Sequence, residues 1–210
     1  MSHLTPPFIL AMLLALSVHE SAHGLVALWL GDRTAKDEGR ITLNPLAHID
    51  LLGMLMFLAV GFGWAKPVPI DPRAFRNVKS GVTLTALAGP VSNLLLAIAT
   101  ALGILLFEAM HVSVSFGVAQ FFREFSENML FLNLGLMAFN LLPVAPLDGS
   151  KILAVFIPWR YERQYETFLR QGPILLLILL VAERLLGIPL LVWWITLIVS
   201  PILGVLEKLL

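Results

Sequence analysis

The chain has 210 residues, of which 58% are hydrophobic and 13% charged, and its formal net charge is zero. That charged fraction is about half the roughly 25% of a soluble domain, and with a mean hydropathy of +0.87 it marks an integral membrane protein of the all-α class. A neutral chain offers no basic footprint for nucleic acid, and the absence of cysteine excludes disulfides, thiolate ligands and a thiol nucleophile.

Residues 7–30 form the first apolar run, about 24 residues, enough to cross a bilayer at 1.5 Å per residue. The run has no basic leader and carries ionisable groups, so it is not read as a cleavable signal. Inside it stand His19, Glu20, Ser21, Ala22 and His23, followed by Gly24. Two histidines four apart lie on one helical face, where both imidazoles can reach one ion. Glu20 projects from the neighbouring face, placed to act as a base on water beside that ion. An ionisable group at mid-bilayer costs about 2.5–3.5 kcal/mol; three within five residues are hard to retain without a use.

Residues 41–45 read as a short extended piece closed by the Asn44-Pro45 turn. Residues 51–62 are apolar but short for a span, which suits a re-entrant segment. Prolines at 67, 69 and 72 make the next stretch stiff and non-helical. Residues 82–107 are the second span. Within it Thr85, Gly89, Asn93, Ala97 and Ala101 recur every four residues, a stripe of small or weakly polar groups suited to close helix packing. Residues 108–127 read as a loop with an interfacial amphipathic piece near Phe121 and Phe122. Residues 128–142 form the third span, broken by Pro143 and Pro146 just before Asp148 and Gly149. Irregular backbone at membrane depth survives only against protein or a wet cavity. Residues 151–170 form a charged connector, and 173–182 with 190–205 form a C-terminal hairpin.

The basic residues cluster in three groups: Arg33, Lys36 and Arg40; Lys66, Arg73, Arg76 and Lys79; Lys151, Arg160, Arg163 and Arg170. The positive-inside rule puts all three in the cytoplasm only if 51–62 enters and leaves on one side. This gives five spans, N-terminus outside and C-terminus inside, in a plasma or inner membrane, with His23 and Asp148 in the cytoplasmic half. Six full spans is the alternative. The whole of 1–210 reads as one membrane-embedded domain, with a core of about 7–157 and the terminal hairpin at about 171–207.

A catalytic zinc takes three protein ligands and keeps one position open. Beyond His19 and His23 the candidates are His48, Asp50, Asp71, Glu108, His111 and Asp148. Asp148 is preferred for the helix break, its depth and the flanking Gly149; His48 is second. Asn140 and Asn93 are candidates for binding substrate backbone or an oxyanion, or for tying helices together.

Taken together these residues resemble the site-2 protease family of intramembrane zinc metalloproteases. The His19–His23 segment looks like the family's HExxH motif. Asn140, Pro143, Leu147, Asp148 and Gly149 are similar to its Asn-x-x-Pro and Leu-Asp-Gly signature, whose aspartate is the third zinc ligand. Ala88-Gly89-Pro90-Val91-Ser92-Asn93 looks like the Gly-Pro-x-x-Asn of the intervening helix. The resemblance covers about residues 10–160 and implies one Zn2+ per chain. It also implies transmembrane protein or peptide substrates, and a membrane-associated β-like structure over 41–62. The chain reads as a small prokaryotic member without an inserted PDZ-type module or a C-terminal regulatory domain. The rival class is a zinc transporter or a non-hydrolytic metal-binding membrane protein.

Overall fold

A computed structural model describes residues 4–61, 63–110, 114–206 and 208. The described chain is helical. Its α-helices are α1 (Pro6–Trp29), α2 (Thr34–Asp37), α3 (Leu51–Val60), α4 (Val78–Ala109), α5 (Phe116–Asn140), α6 (Asp148–Leu153), α7 (Glu162–Leu186) and α8 (Leu190–Leu206). The sequence marks several of their ends. Phe8 N–H donates to Thr5 Oγ1 at 3.4 Å and prolines fill the first turn of α1. Asp50 caps α3 through Gly53 N–H at 2.7 Å, and Gly61 closes it at φ +81°. Asn77 caps α4 through Ser80 N–H at 3.0 Å.

Helices α1, α4 and α5 pack against one another and form the core. The buried face of α1 is a four-residue stripe of Ala11, Ala15, His19, His23 and Ala27. The buried stripe of α4 is Gly81, Thr85, Gly89, Asn93, Ala97 and Ala101, as the spacing in the sequence anticipates. Small residues bring these helix axes close, so groups on one stripe reach across to the other. Helix α5 adds Asn133, Leu134, Met137 and Ala138, and α8 covers its outer side through Val199 and Leu206.

Two helices, α1 and α4, are long and apolar enough to cross a membrane, and α7 with α8 makes a third candidate if the pair is taken as one bent span. The two helices of the expected C-terminal hairpin turn through 102° at their junction. Glu183 Oε2 accepts Leu191 N–H at 2.9 Å across that bend. The expected loop over 108–127 is corrected, because α5 begins at Phe116 and carries its charged first half in one continuous helix with the apolar second half. Charges spaced as Arg123 and Glu127 suit a helix, where they pair at 3.5 Å.

No strand occurs among the described residues. The β-like expectation for 41–62 reduces to one antiparallel bridge, Ile49 to Ala65, beside a Lys66 N–H bond to His48 O at 2.8 Å. This bridge ties the entry of α3 to the exit of the segment that follows. The bridge and the Lys66 bond thus close this segment on itself. Its two limbs touch backbone to backbone, since a Cβ on Gly53 or Gly63 would run into the opposite limb.

Candidate metal centre

His19 and His23 are buried on the core-facing stripe of α1, and Asp148 is buried at the start of α6. The break after α5 delivers Asp148: Pro143 and Pro146 cannot continue the helix, and the short turn they make re-aims the chain. Tyr165 of α7 then donates its hydroxyl to Ser150 O, holding α6 in place. His19 Nε2 lies 3.3 Å and His23 Nε2 3.2 Å from Asp148 Oδ2, and the two Nε2 atoms are 3.1 Å apart. These three are the group among the described residues able to share one ion.

Hydrogen bonds behind the imidazoles decide what they present. His23 Nδ1 lies 2.7 Å from Thr85 O, and a carbonyl can only accept, so this nitrogen carries the proton. His19 Nδ1 lies 2.6 Å from Asn93 Oδ1 and donates likewise. In its neutral form each ring therefore turns the lone pair of Nε2 inward. There they meet Asp148 Oδ2, which is buried and has no hydrogen-bond donor. Two imidazole nitrogens and one carboxylate oxygen gathered at this spacing can hold a cation between them. Ligand atoms around a tetrahedral zinc with 2.0–2.1 Å bonds stand about 3.3–3.4 Å apart, close to the separations seen. The donor set fits zinc.

Gly89 explains why α4 can sit so near. A Cβ there would lie 2.5 Å from both His19 Cε1 and His23 Nε2. Only a residue without a side chain lets the α4 backbone pass beside the two rings. Behind that contact, the buried Asn93 donates to Asn133 Oδ1 at 2.7 Å.

Glu20 sits beside the metal position, where Val68 N–H donates to its Oε2 at 3.0 Å. Val68 belongs to the proline-rich stretch, which crosses the site as an extended strap. Pro67 and Pro69 have no N–H, so Val68 offers the one amide between them. The buried Arg40 holds the strap from the other side, donating from Nη2 to Lys66 O at 2.8 Å and Pro67 O at 3.2 Å.

A cavity of about 360 Å3 is lined by His19, Glu20, His23, Asn140, Asp148 and Lys151. It shares Glu20 and Asn140 with a second, more apolar cavity bounded by Trp64, Leu136, Leu176 and Leu180. That one in turn shares Leu16, Trp64 and Leu136 with a third, lined by side chains of α1, α3 and α5. The polar site therefore opens into an apolar groove. Asn140 lines the first two cavities while its Nδ2 donates to Leu136 O at 3.0 Å.

Of the other ligand candidates, His48 donates to Thr42 O at 2.8 Å, and Asp50 caps α3. Asp71 pairs with Arg73 at 2.8 Å, whose hydrogen bonds hold the Asp71 carboxyl below the usual carboxylate value. Glu108 stands in the last turn of α4, far along the helix from Gly89. His111 lies outside the described residues. Sequence reasoning missed Thr85, Val68, Arg40 and Asn133. Thr85 and Val68 act through backbone atoms, which no residue identity reports. Arg40 and Asn133 are polar residues buried in the fold, and the signal that could have found them is a polar residue set among apolar ones.

A core of apolar helices around a His-His-Asp donor set with an adjacent glutamate defines a zinc-dependent metallopeptidase of the membrane. The family model for peptidase family M50 matches residues 110–180. The chain is 41% identical over 162 residues to "Putative zinc metalloprotease YwhC" of Bacillus subtilis, covering 74% of this chain and 71% of that protein. It is 31% identical over 180 residues to "Putative zinc metalloprotease Rip2" of Mycobacterium tuberculosis, covering 83% of this chain and 66% of that protein. The Rip2 protein of Mycolicibacterium smegmatis is 26% identical over 180 residues, covering 82% of this chain and 66% of that protein. No solved structure matches. The chain belongs to peptidase family M50, the site-2 proteases.

Proposed function

We propose that the chain hydrolyses peptide bonds within or near transmembrane segments of other proteins, with His19, His23 and Asp148 as the zinc ligands and Glu20 as the general base. The observation that carries this reading is the convergence of three lone-pair donors within 3.1–3.3 Å of one another, beside Glu20, where a polar cavity opens into an apolar groove. Bound zinc supplies a Lewis acid that polarises the peptide carbonyl and lowers the pKa of water toward about 7. The side chains do the rest. Glu20 takes the proton from the attacking water and returns it to the leaving amine. Val68 N–H occupies one oxygen of that carboxylate, so the other is the proton acceptor. Asn140 Oδ1 accepts a backbone N–H from an unwound substrate. Asn93 touches His19 and serves the metal, in place of the substrate contact considered from the sequence.

A peptide bond inside a helix is wrapped in its own hydrogen bonding, so the substrate must unwind before attack. The apolar groove receives its lipid-embedded part and the cavity near Lys151 its polar part. A zinc carrier would need donor sets strung along a path, and the described residues offer one group. The chain 1–210 works as one membrane-embedded catalytic unit.

The topology we infer takes α7 and α8, which turn through 102° at their junction, as two separate tilted crossings; it then has five spans, with α3 and its return as a re-entrant hairpin, the N-terminus outside and the C-terminus inside. The bond from Arg40 to Lys66 O supports it, because it keeps the first two basic groups on one side of the membrane.

Glu20→Gln tests the function. Zinc content should stay at one per chain while cleavage of a transmembrane peptide falls by about 10²–10⁴-fold. Undiminished cleavage would remove Glu20 from the mechanism, and wild-type zinc transport into vesicles without peptide hydrolysis would favour the carrier. Because the chain has no cysteine, single cysteines test the topology cleanly. An impermeant thiol reagent applied to intact cells should label Ser115→Cys and spare Lys36→Cys and Arg160→Cys; the opposite pattern would invert the orientation.

A further inference from the structure

Asn133 touches neither the cavity nor the metal position, yet it is fully buried in α5 at the centre of an apolar core. Burying an amide there is costly unless every hydrogen bond is made. Its partners form a line across three helices. Asn133 Nδ2 lies 2.7 Å from Met129 O, Asn133 Oδ1 lies 2.7 Å from Asn93 Nδ2, and Asn93 Oδ1 lies 2.6 Å from His19 Nδ1. Asn93 Nδ2 also lies 3.5 Å from Ala15 O in α1.

The direction of this line is set at its far end. Met129 O is a backbone carbonyl and can only accept, so the amide nitrogen of Asn133 must face it. The oxygen of Asn133 then faces Asn93, whose nitrogen must answer, and the oxygen of Asn93 is left facing the imidazole. Ala15 O, a second obligate acceptor, favours the same orientation of Asn93, but at 3.5 Å it holds the amide far less firmly than Asn133 Oδ1 at 2.7 Å. An oxygen facing Nδ1 requires the proton on Nδ1 and leaves the lone pair on Nε2.

We propose that Asn133 is a positioning residue for the metal: through Asn93 it fixes the tautomer of His19, so that Nε2 is ready as a ligand before the ion arrives. The inference rests on His19 being a zinc ligand through Nε2. Neutral histidine in water prefers its proton on Nε2, the nitrogen needed here for the metal. Without the line of amides, His19 relaxes toward that form and must lose a proton from Nε2, or change tautomer, each time it binds zinc. His23 has no such dependence, since its Nδ1 donates directly to the Thr85 carbonyl. The two ligands thus differ in how deep their support runs: one bond for His23, three for His19.

The test uses the full chain in detergent with 15N-labelled histidine. In metal-free wild type, the 15N shifts of His19 should report a protonated Nδ1 and an unprotonated Nε2. Asn133→Val should move His19 toward the Nε2–H form, leave His23 unmoved, and weaken zinc retention against a chelator by about 10–100-fold. Asn93→Asp supplies the variant that separates positioning from packing. A carboxylate can only accept, so it holds the proton on Nδ1 by itself. In the Asn93→Asp background, adding Asn133→Val should therefore leave the His19 tautomer and zinc retention as they are in Asn93→Asp alone. Loss of zinc in both backgrounds with an unchanged His19 tautomer would mean that Asn133 only fills space, and would overturn the proposal. So would an Asn133→Val protein with wild-type shifts and wild-type zinc retention. His19→Ala keeps the two readings apart: if it still retains zinc as wild type does, the metal site itself is misassigned.

Discussion

His19, His23 and Asp148 meet on helices, and each imidazole is backed by a hydrogen bond to another helix, whereas Glu20, next in sequence to His19, is held by one amide of an extended strap. The metal end is buried, its ligand spacing set by Gly89 and by the stripes of α1 and α4. The base end depends on residues 66–70, which have no helix of their own and are pinned by Arg40 and Glu20. Such a division suits a protease whose substrate must be drawn into extended form. The ion needs a rigid cage that no substrate disturbs, while the side that receives the chain must admit a second backbone beside it.

Damage at the metal end should therefore be close to all-or-none. Asp148→Ala removes the one anionic member of the proposed ligand set, and zinc content measured on purified protein should drop toward zero with cleavage at background. Full zinc occupancy in this variant would show that another oxygen completes the site. Gly89→Ala is the next most severe. The added methyl would stand 2.5 Å from both imidazoles, and overpacking of this kind costs about 1–3 kcal/mol. Because both rings touch it, zinc affinity should fall well before the thermal transition does. Equal losses of affinity and stability would mean that the contact is general packing and not specific to the ligands.

How much of this was readable beforehand follows the same division. The helix-borne half was legible. Histidines four apart, a small-residue stripe at the same spacing and an acid after a double proline are one-dimensional patterns that a helix converts directly into a face or a break. The other half was less so. Thr85 contributes a carbonyl and Val68 an amide, and every residue but proline has both. The 102° turn between α7 and α8 is not legible in the sequence, because composition reports that two apolar segments exist but not the angle between them. Residues 108–127 show a related limit: charges there suggest a polar loop, while their helical period indicates that α5 starts early.

Damage at the base end should be graded, and Arg40→Met gives the smallest effect expected here. Methionine keeps much of the apolar stem but cannot donate to Lys66 O and Pro67 O. Hydrogen bonds from a charged donor contribute about 1.5–3 kcal/mol, so losing them should loosen the strap without unfolding the core. Val68 N–H would then hold Glu20 for a smaller fraction of the time. Cleavage should drop by roughly tenfold, the equivalent of about 1.4 kcal/mol, while zinc content stays at one per chain. Hydrogen exchange at Val68 supplies the independent check, because a loosened strap exposes that amide. If exchange at Val68 rises and the cleavage rate does not change, the strap is not what orients the carboxylate, and the contrast between a rigid cage and a backbone-held base loses its second half.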